Sequence, residues 1–378
     1  MRILVFLTIA LLVLGGASVY MAERSLALCP ALAGHPALVR GVALGMLVVM
    51  FAGPVQHGVP GLGRWVDPLY GLGYTWFGFL STFVVYLAAA DLAQALLRLA
   101  GIRAGTWAFA LAAGGALVSV LLGLVTALRP VPTRRVRVPI PDLPPGLEGF
   151  RILQISDLHL GPLVRRSQVD HIVAAGNALK PDLIAITGDL VDGGADGTRA
   201  KAERLGALQA THGVCFVTGN HEYYAGVARW LRLFQELGWR VLDNKHVLLE
   251  HRGARLAVAG MPDPTAGSVH GPDLARALAG IPADAFRLLL FHPPTGAEAA
   301  ERAGVGLQLS GHTHAGQYFP WSLVVPALYA HPKGLGRSGR MWIYTSVGTG
   351  FWGPPNRFLV PPELTLIELY LGFAERLQ

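Results

Sequence analysis

The hydrophobic pattern changes character along the chain. Near the start, residues 3–20, 41–63, 68–90 and 104–128 run without an Asp, Glu, Lys or Arg. Each run reaches the ~18 residues that mark a candidate membrane-spanning helix. Pro54 and Pro60 interrupt the second run, which predicts a helix ending near residue 55. Tyr70, Tyr74, Trp76 and Tyr86 lie towards the ends of the third, where interfacial aromatics belong. The pattern predicts four spans, or three if the second run is only partly inserted. From residue 148 short apolar runs alternate with amphipathic ones. Runs at 150–155, 183–187, 214–217, 247–250, 256–259, 286–291, 307–310, 341–345 and 364–370 predict strands, and stretches near 167–179, 199–209 and 227–237 predict helices. Such alternation predicts an α/β layered fold, with ligands gathered at the carboxyl ends of the strands. Between the two patterns, residues 129–147 carry six prolines and read as an extended linker. The chain therefore divides into an all-α multi-span membrane region at 1–128, a linker at 129–147 and a domain at 148–378.

Composition agrees with this division. Of 378 residues, 52% are apolar and 15% charged, against roughly 25% charged in a soluble domain. That excludes a purely soluble enzyme and a disordered chain. The net charge of +7 sits almost wholly in residues 1–147, which hold ten arginines and four acids. The remaining domain is close to neutral, which argues against a nucleic-acid partner. Two cysteines, Cys29 and Cys215, exclude a disulfide scaffold. Leu28 directly before Cys29 does not suit a lipoprotein cleavage site, so the first run reads as an uncleaved anchor. With four spans, Arg2, Arg64, Arg129, Arg134, Arg135 and Arg137 share one side and Arg24, Arg40, Arg98 and Arg103 the other. The positive-inside rule then puts the C-terminal domain on the cytoplasmic face of the cell membrane. The 134–137 cluster reads as the flank of the last span, or as a contact for anionic headgroups. No ionisable residue falls in a span core, so the region reads as an anchor or a lipid-substrate site and not as a pump.

Five polar clusters follow predicted strands: Ser156-Asp157-Leu158-His159, Gly188-Asp189-Leu190-Val191-Asp192, Gly219-Asn220-His221-Glu222, His292-Pro293 and Gly311-His312-Thr313-His314. Any one of them reads equally well as turn chemistry, a helix cap or a core histidine. Five in succession at strand ends would be costly to bury unpaired unless a cation balances them. Imidazole with carboxylate, and no cysteine among them, points to Mn, Fe, Zn or a similar divalent ion. So many ligands suit two metals sharing a carboxylate. Asp157 with His159, and His312 with His314, stand at i and i+2, a spacing that faces both side chains one way on extended backbone.

The order D-x-H, G-D-x-x-D, G-N-H-E, H, G-H-x-H resembles the calcineurin-like metallophosphoesterases across nearly all of residues 150–315. The sequence 311–317, Gly348-Thr349-Gly350, Pro354-Pro355-Asn356-Arg357 and Pro361-Pro362-Glu363 are similar to its YkuE-like membrane-associated branch. Ala315 departs from the glycine common there, and His292 is followed by a second proline after Pro293. The resemblance implies a four-layer α/β/β/α sandwich. It implies Asp157, His159 and His314 on one metal, Asn220, His292 and His312 on the other, and Asp189 between them. His221 would protonate the leaving oxygen, and Asp192 and Glu222 would support the ligands. The implied reaction is attack on a phosphodiester, phosphomonoester or pyrophosphate by metal-activated hydroxide, with Arg357 a candidate phosphate contact. The membrane region suggests a lipid-linked or envelope substrate. Competing readings are a catalytically silent metal-binding sensor and a nuclease, the latter disfavoured by the neutral domain.

Overall fold

A computed structural model describes residues 2–51, 63–102, 107–193 and 196–372. They form two compact units.

The first unit comprises Met1–Thr126 with the short segments Tyr318–Pro320 and Gly353–Leu359. Its main helices are α1 (Arg2–Leu28), α2 (Pro36–Met50), α3 (Gly63–Leu99) and α4 (Trp107–Leu128). Among the described residues three stretches are long and apolar enough to cross a bilayer: Thr8–Leu28, Asp67–Leu99 and Trp107–Leu128. The second predicted run yields only α2, whose 15 residues reach about 22 Å, short of a ~30 Å hydrocarbon core. Its expected end near residue 55 lies outside the described residues. Met21, Ala43, Leu80, Phe83, Leu87, Ala112 and Ala116 form the interior, and the small residues among them let helices approach closely. A side chain on Gly73 would stand 2.6 Å from the carbonyl oxygen of Val49. α3 extends past the uncharged run to include Asp91, whose carboxylate accepts hydrogen bonds from Tyr20 Oη at 2.7 Å and Arg24 Nε at 2.8 Å. Asp91 and Arg24, both within the span-length stretches, are thus paired with each other. The segments 318–320 and 353–359 are built into this unit: Thr82 Oγ1 donates to the Phe319 carbonyl at 3.2 Å, and the Arg357 N–H to that of Gly123 at 3.0 Å.

The second unit comprises Ala127–Gln317, Trp321–Trp352 and Val360–Gln378. Its strands are β1 (Thr133–Ile140), β2 (Arg151–Ile155), β3 (Leu183–Thr187), β4 (Val214–Val217), β5 (Arg240–Val241), β6 (Lys245–His251), β7 (Ala254–Gly260), β8 (Phe286–Leu290), β9 (Leu307–Ser310), β10 (Gly334–Ser338), β11 (Met341–Thr345) and β12 (Leu364–Leu371). Among the described residues they form two mixed six-stranded sheets, ordered β1-β12-β2-β3-β4-β5 and β10-β11-β9-β8-β7-β6. Period-two alternation assigns each strand's side chains to two faces. Ile152, Leu183, Val217, Val258, Leu288, Leu309 and Tyr344 meet in one core between the sheets. Leu153, Ile184, Ile186 and Phe216 turn outward to Val169, Ile172 and Phe234 of the helices Arg166–Ala178 and Val227–Glu236. Ala257, Leu289 and Ile343 cover the opposite outer face with Ala277 and Ala300. The result is the expected four-layer α/β/β/α sandwich.

The proline-rich stretch read as a linker is not free chain, because it contains β1, which pairs in parallel with β12 near the other end of the domain. Arg135-Val136-Arg137-Val138 alternates polar and apolar, and a sheet edge accepts Pro139, where no ladder donor is needed. β2, β3 and β4 are parallel neighbours in one sheet, as are β8 and β9 in the other. Their carboxyl ends carry the five polar clusters.

Candidate metal centre

Asp157, His159 and His314 bring one ligand atom each within metal-binding reach of one another, as do Asp189, His292 and His312, and as do His159, Asp189 and His221. The described residues thus join every histidine and aspartate assigned from sequence. His159 Nε2 and His314 Nε2 lie 3.0 Å apart, and His314 Nε2 is 3.4 Å from Asp157 Oδ1. Asp189 Oδ2 lies 3.1 Å from His292 Nε2 and 3.8 Å from His159 Nε2. It therefore stands between the two groups.

The convergence is achieved by backbone that is not extended. Asp157, His159, Asp189, His312 and His314 have φ of 52°, 48°, 49°, 72° and 49°. Asp157 and His159 fall in one group as their i, i+2 spacing predicts, although not on extended backbone, whereas His312 and His314 fall in different groups. Left-handed backbone at a non-glycine residue costs about 1–3 kcal/mol and persists where its surroundings enforce it. Here they do. The Asp157 and His159 N–H groups donate to the carbonyls of Gly188 and Asp189, both at 3.0 Å, and the Thr349 and Gly350 N–H groups donate to the carbonyls of Ser156 and Asp157 at 2.7 and 3.0 Å. Ala315, too, has φ 49°, a conformation that glycine adopts without penalty. Gly188, at φ 89°, is compulsory: a Cβ there would stand 2.7 Å from His292 Nδ1.

The candidate ligands are also oriented. The Ser156 hydroxyl donates to Asp157 Oδ2 at 2.6 Å and the His312 N–H to Asp157 Oδ1 at 2.9 Å. His292 Nδ1 donates to the Thr187 carbonyl at 2.7 Å, which turns Nε2 towards Asp189. Glu222 is fully buried and accepts from the N–H groups of Gly219, Asp189, Leu190 and Val191 at 2.7–3.3 Å, tying the second and third clusters together. His221 donates its N–H to Asp189 Oδ1 at 2.8 Å, and its Nδ1 lies 3.1 Å from Asp192 Oδ1. The Thr349 clamp and the Thr187 carbonyl are contributions that no ligand motif announces.

The donor atoms fit divalent cations. Asn220 Oδ1 and His312 Nδ1 are buried and have no hydrogen-bond partner, and His292 Nε2 meets only Asp189 Oδ2, at 3.1 Å. They come from the three residues assigned to one metal. Lone pairs so placed are available to a cation. The electrostatics agree. Burial opposes a charge on His292, yet Asp189 beside it raises its pKa to about 10. Burial, with His221 adding to it, lowers His159 to about 3. Burial raises Asp157 to about 6, with Asp189 acting in the same direction. For His221 burial works against the charge, and Asp189 and Asp192 outweigh it, raising it to about 9. Negative charge at Asp189 therefore draws positive charge from whatever neighbour can hold it. Arg357 is fully buried and belongs to the helical unit.

Sandwich, strand-end aspartates and converging imidazoles define the class of metallophosphoesterases. Residues 150–316 match the calcineurin-like phosphoesterase family. A transmembrane protein with metallophosphoesterase domain from Danio rerio is 38% identical over 67% of this chain and 60% of its own length. A metallophosphoesterase of Aquifex aeolicus is 31% identical over 67% of this chain and 97% of its own. YkuE of Bacillus subtilis is 32% identical over 60% of this chain and 81% of its own. The chain spans about 60% of the length of the vertebrate relatives it matches. It belongs to the calcineurin-like metallophosphoesterase family, and its apolar helices associate that domain with a membrane.

Proposed function

We propose that the chain is a membrane-anchored phosphoesterase that hydrolyses a phosphodiester, phosphomonoester or pyrophosphate bond. The observation that carries this reading is the pair of buried, unpartnered atoms Asn220 Oδ1 and His312 Nδ1 beside the close contact of His292 with Asp189. Asp157, His159 and His314 would hold one divalent ion, Asn220, His292 and His312 a second, and Asp189 would serve both. Divalent ions in such positions supply charge that acidifies water and neutralises phosphate oxygens. The chain's own residues do the rest. Asp192 fixes the His221 ring through Nδ1, which leaves Nε2 to hold a proton for the departing oxygen, a contribution of about 10²–10⁴ in rate. Glu222 keeps the Asp189 loop in place against its neighbours' charge. The family names no substrate, and the membrane region favours a lipid-linked or envelope phosphoester.

Purified full-length protein with Mn²⁺ should hydrolyse bis-p-nitrophenyl phosphate. Metal binding without hydrolysis under any divalent ion would overturn the enzyme reading in favour of a metal-binding module. With α1, α3 and α4 as the spans, Cys29 shares the side of the C-terminal domain, so a cytoplasmic domain predicts labelling by an impermeant thiol reagent only after permeabilisation. Labelling of intact cells would place the domain outside or require α2 to cross.

A further inference from the structure

The helix Trp321–Leu328 reads WSLVVPAL, and not one of its eight residues is buried. Leu323 is 69% and Leu328 71% exposed, with Trp321 and Val324 also open. An apolar helix left uncovered on a folded domain marks an interaction surface. Its surroundings say what it meets. Directly after it come the exposed Lys333 and Arg337, the latter on the edge strand β10. The other sheet ends on that side in β1, whose Arg134, Arg135 and Arg137 are exposed. Arg134 Nη2 would stand 3.8 Å from a side chain placed on Gly334, so the two basic edges adjoin. Glu363 and Glu368 each face one of the five cations, Arg134 and Arg137 respectively. The excess remains positive. Tryptophan and branched apolar residues beside a basic rim are the chemistry of a surface that lies in the headgroup region of an anionic leaflet.

We infer that the helix Trp321–Leu328 and the basic edges β1 and β10 form a face that docks on an anionic lipid surface. Chain continuity favours this occupant over a protein. Pro320, bonded to Trp321, belongs to the unit of membrane helices, and β1 begins five residues after α4 ends. The face also borders the metal centre. A side chain on Gly316 would collide with the Trp321 carbonyl, so the helix packs directly on the His314–Gly316 turn, and the Tyr329 ring lies 6.0 Å from that of His312. Docking would bring the centre to headgroup depth. The inference does not depend on hydrolysis.

The test uses full-length protein in vesicles of phosphatidylcholine alone or mixed with phosphatidylglycerol. Leu323→Cys, in a Cys29→Ser background, carries an environment-sensitive dye, and nitroxide lipids serve as quencher. Leu248→Cys, exposed on β6 at the far edge of the same sheet, is the control. Position 323 should be quenched and position 248 should not, and quenching should be strongest with phosphatidylglycerol. Lys333→Glu with Arg337→Glu should lower the ratio of docked to undocked protein by at least about fivefold for each cation lost, while metal content stays unchanged. Equal quenching at both positions, indifference to lipid charge, or a dye shielded from water yet unquenched by lipid, as a protein partner would cause, would each overturn the inference.

Discussion

The two units solve opposite problems with the same side chains. In the helical unit Leu12, Leu117 and Leu122 point outward, whereas in the sandwich Leu153, Leu256 and Leu288 are fully buried. An apolar residue faces whatever is least like water. For the helices that is lipid, and for the sheets it is the facing sheet. Polar groups invert the rule. The helical unit pairs Arg24 with Asp91 and Arg40 with Glu23, while the sandwich leaves Asn220 Oδ1 and His312 Nδ1 buried without a partner. Stability asks for the first arrangement, and a functional site accounts for the second.

The largest expected effect breaks that second arrangement. Asp189→Ala removes the one carboxylate that faces both groups of ligands, so metal analysis should find both positions emptied and hydrolysis abolished. Retention of one full metal equivalent would show that Asp189 does not serve both. Next comes His221→Ala, which should leave metal content nearly intact and slow turnover by about 10²–10⁴. Loss of both ions in that variant would move His221 from proton donor to ligand.

How far the sequence revealed this depended on where the deciding interaction lay. Strands β3, β4, β9 and β11 have the bounds their apolar runs predict, because each is buried on both faces and its signal is local. β1 and β10 were invisible for different reasons. β1 owes its existence to pairing with β12, more than 200 residues away, and its prolines argued for a linker. Gly334–Ser338 has no apolar alternation and is held by β11 alone, at the sheet edge. In the centre, the clustering of the candidate residues was legible because their types recur after strands. The role of Thr349 was not: its motif was visible, but its N–H to the Ser156 carbonyl and its hydroxyl to the Glu363 carbonyl depend on chain 193 residues away and on the turn into β12.

A smaller effect sharpens the contrast between the units. Leu288→Ala opens a cavity between the sheets and should cost about 2–5 kcal/mol, read as a lower denaturation midpoint of the sandwich. Leu122→Ala on α4 trades one lipid-facing apolar group for a smaller one and should leave that midpoint unchanged. Leu122→Asp should instead impair insertion, at about 2.5–3.5 kcal/mol for a charge at a helix centre, seen as protein lost from the membrane fraction. If the two alanine variants lowered stability equally, Leu122 would be packed against protein and the assignment of α4 to lipid would fail.

The smallest effect concerns a polar pair that the sandwich does tolerate. His212 Nε2 lies 3.1 Å from His251 Nδ1, and the Phe150 ring stacks on His212 and meets His251 edge-on. Burial lowers the His212 pKa, and His251 adds to the shift. The native state therefore prefers His212 neutral. Above the unfolded value of about 6.5 this stabilisation is fully present. As pH falls through 6.5 towards the lower folded pKa, the unfolded chain takes up a proton first and stability declines. Replacing the titrating ring by His212→Gln should flatten the acid limb without altering the neutral plateau's dependence on pH. The measurement is the difference between wild-type and variant unfolding midpoints from pH 7.5 to 5, where groups common to both cancel. A difference that stays constant over that range would mean that His212 titrates alike in the folded and unfolded chains, so that its surroundings do not disfavour the charge.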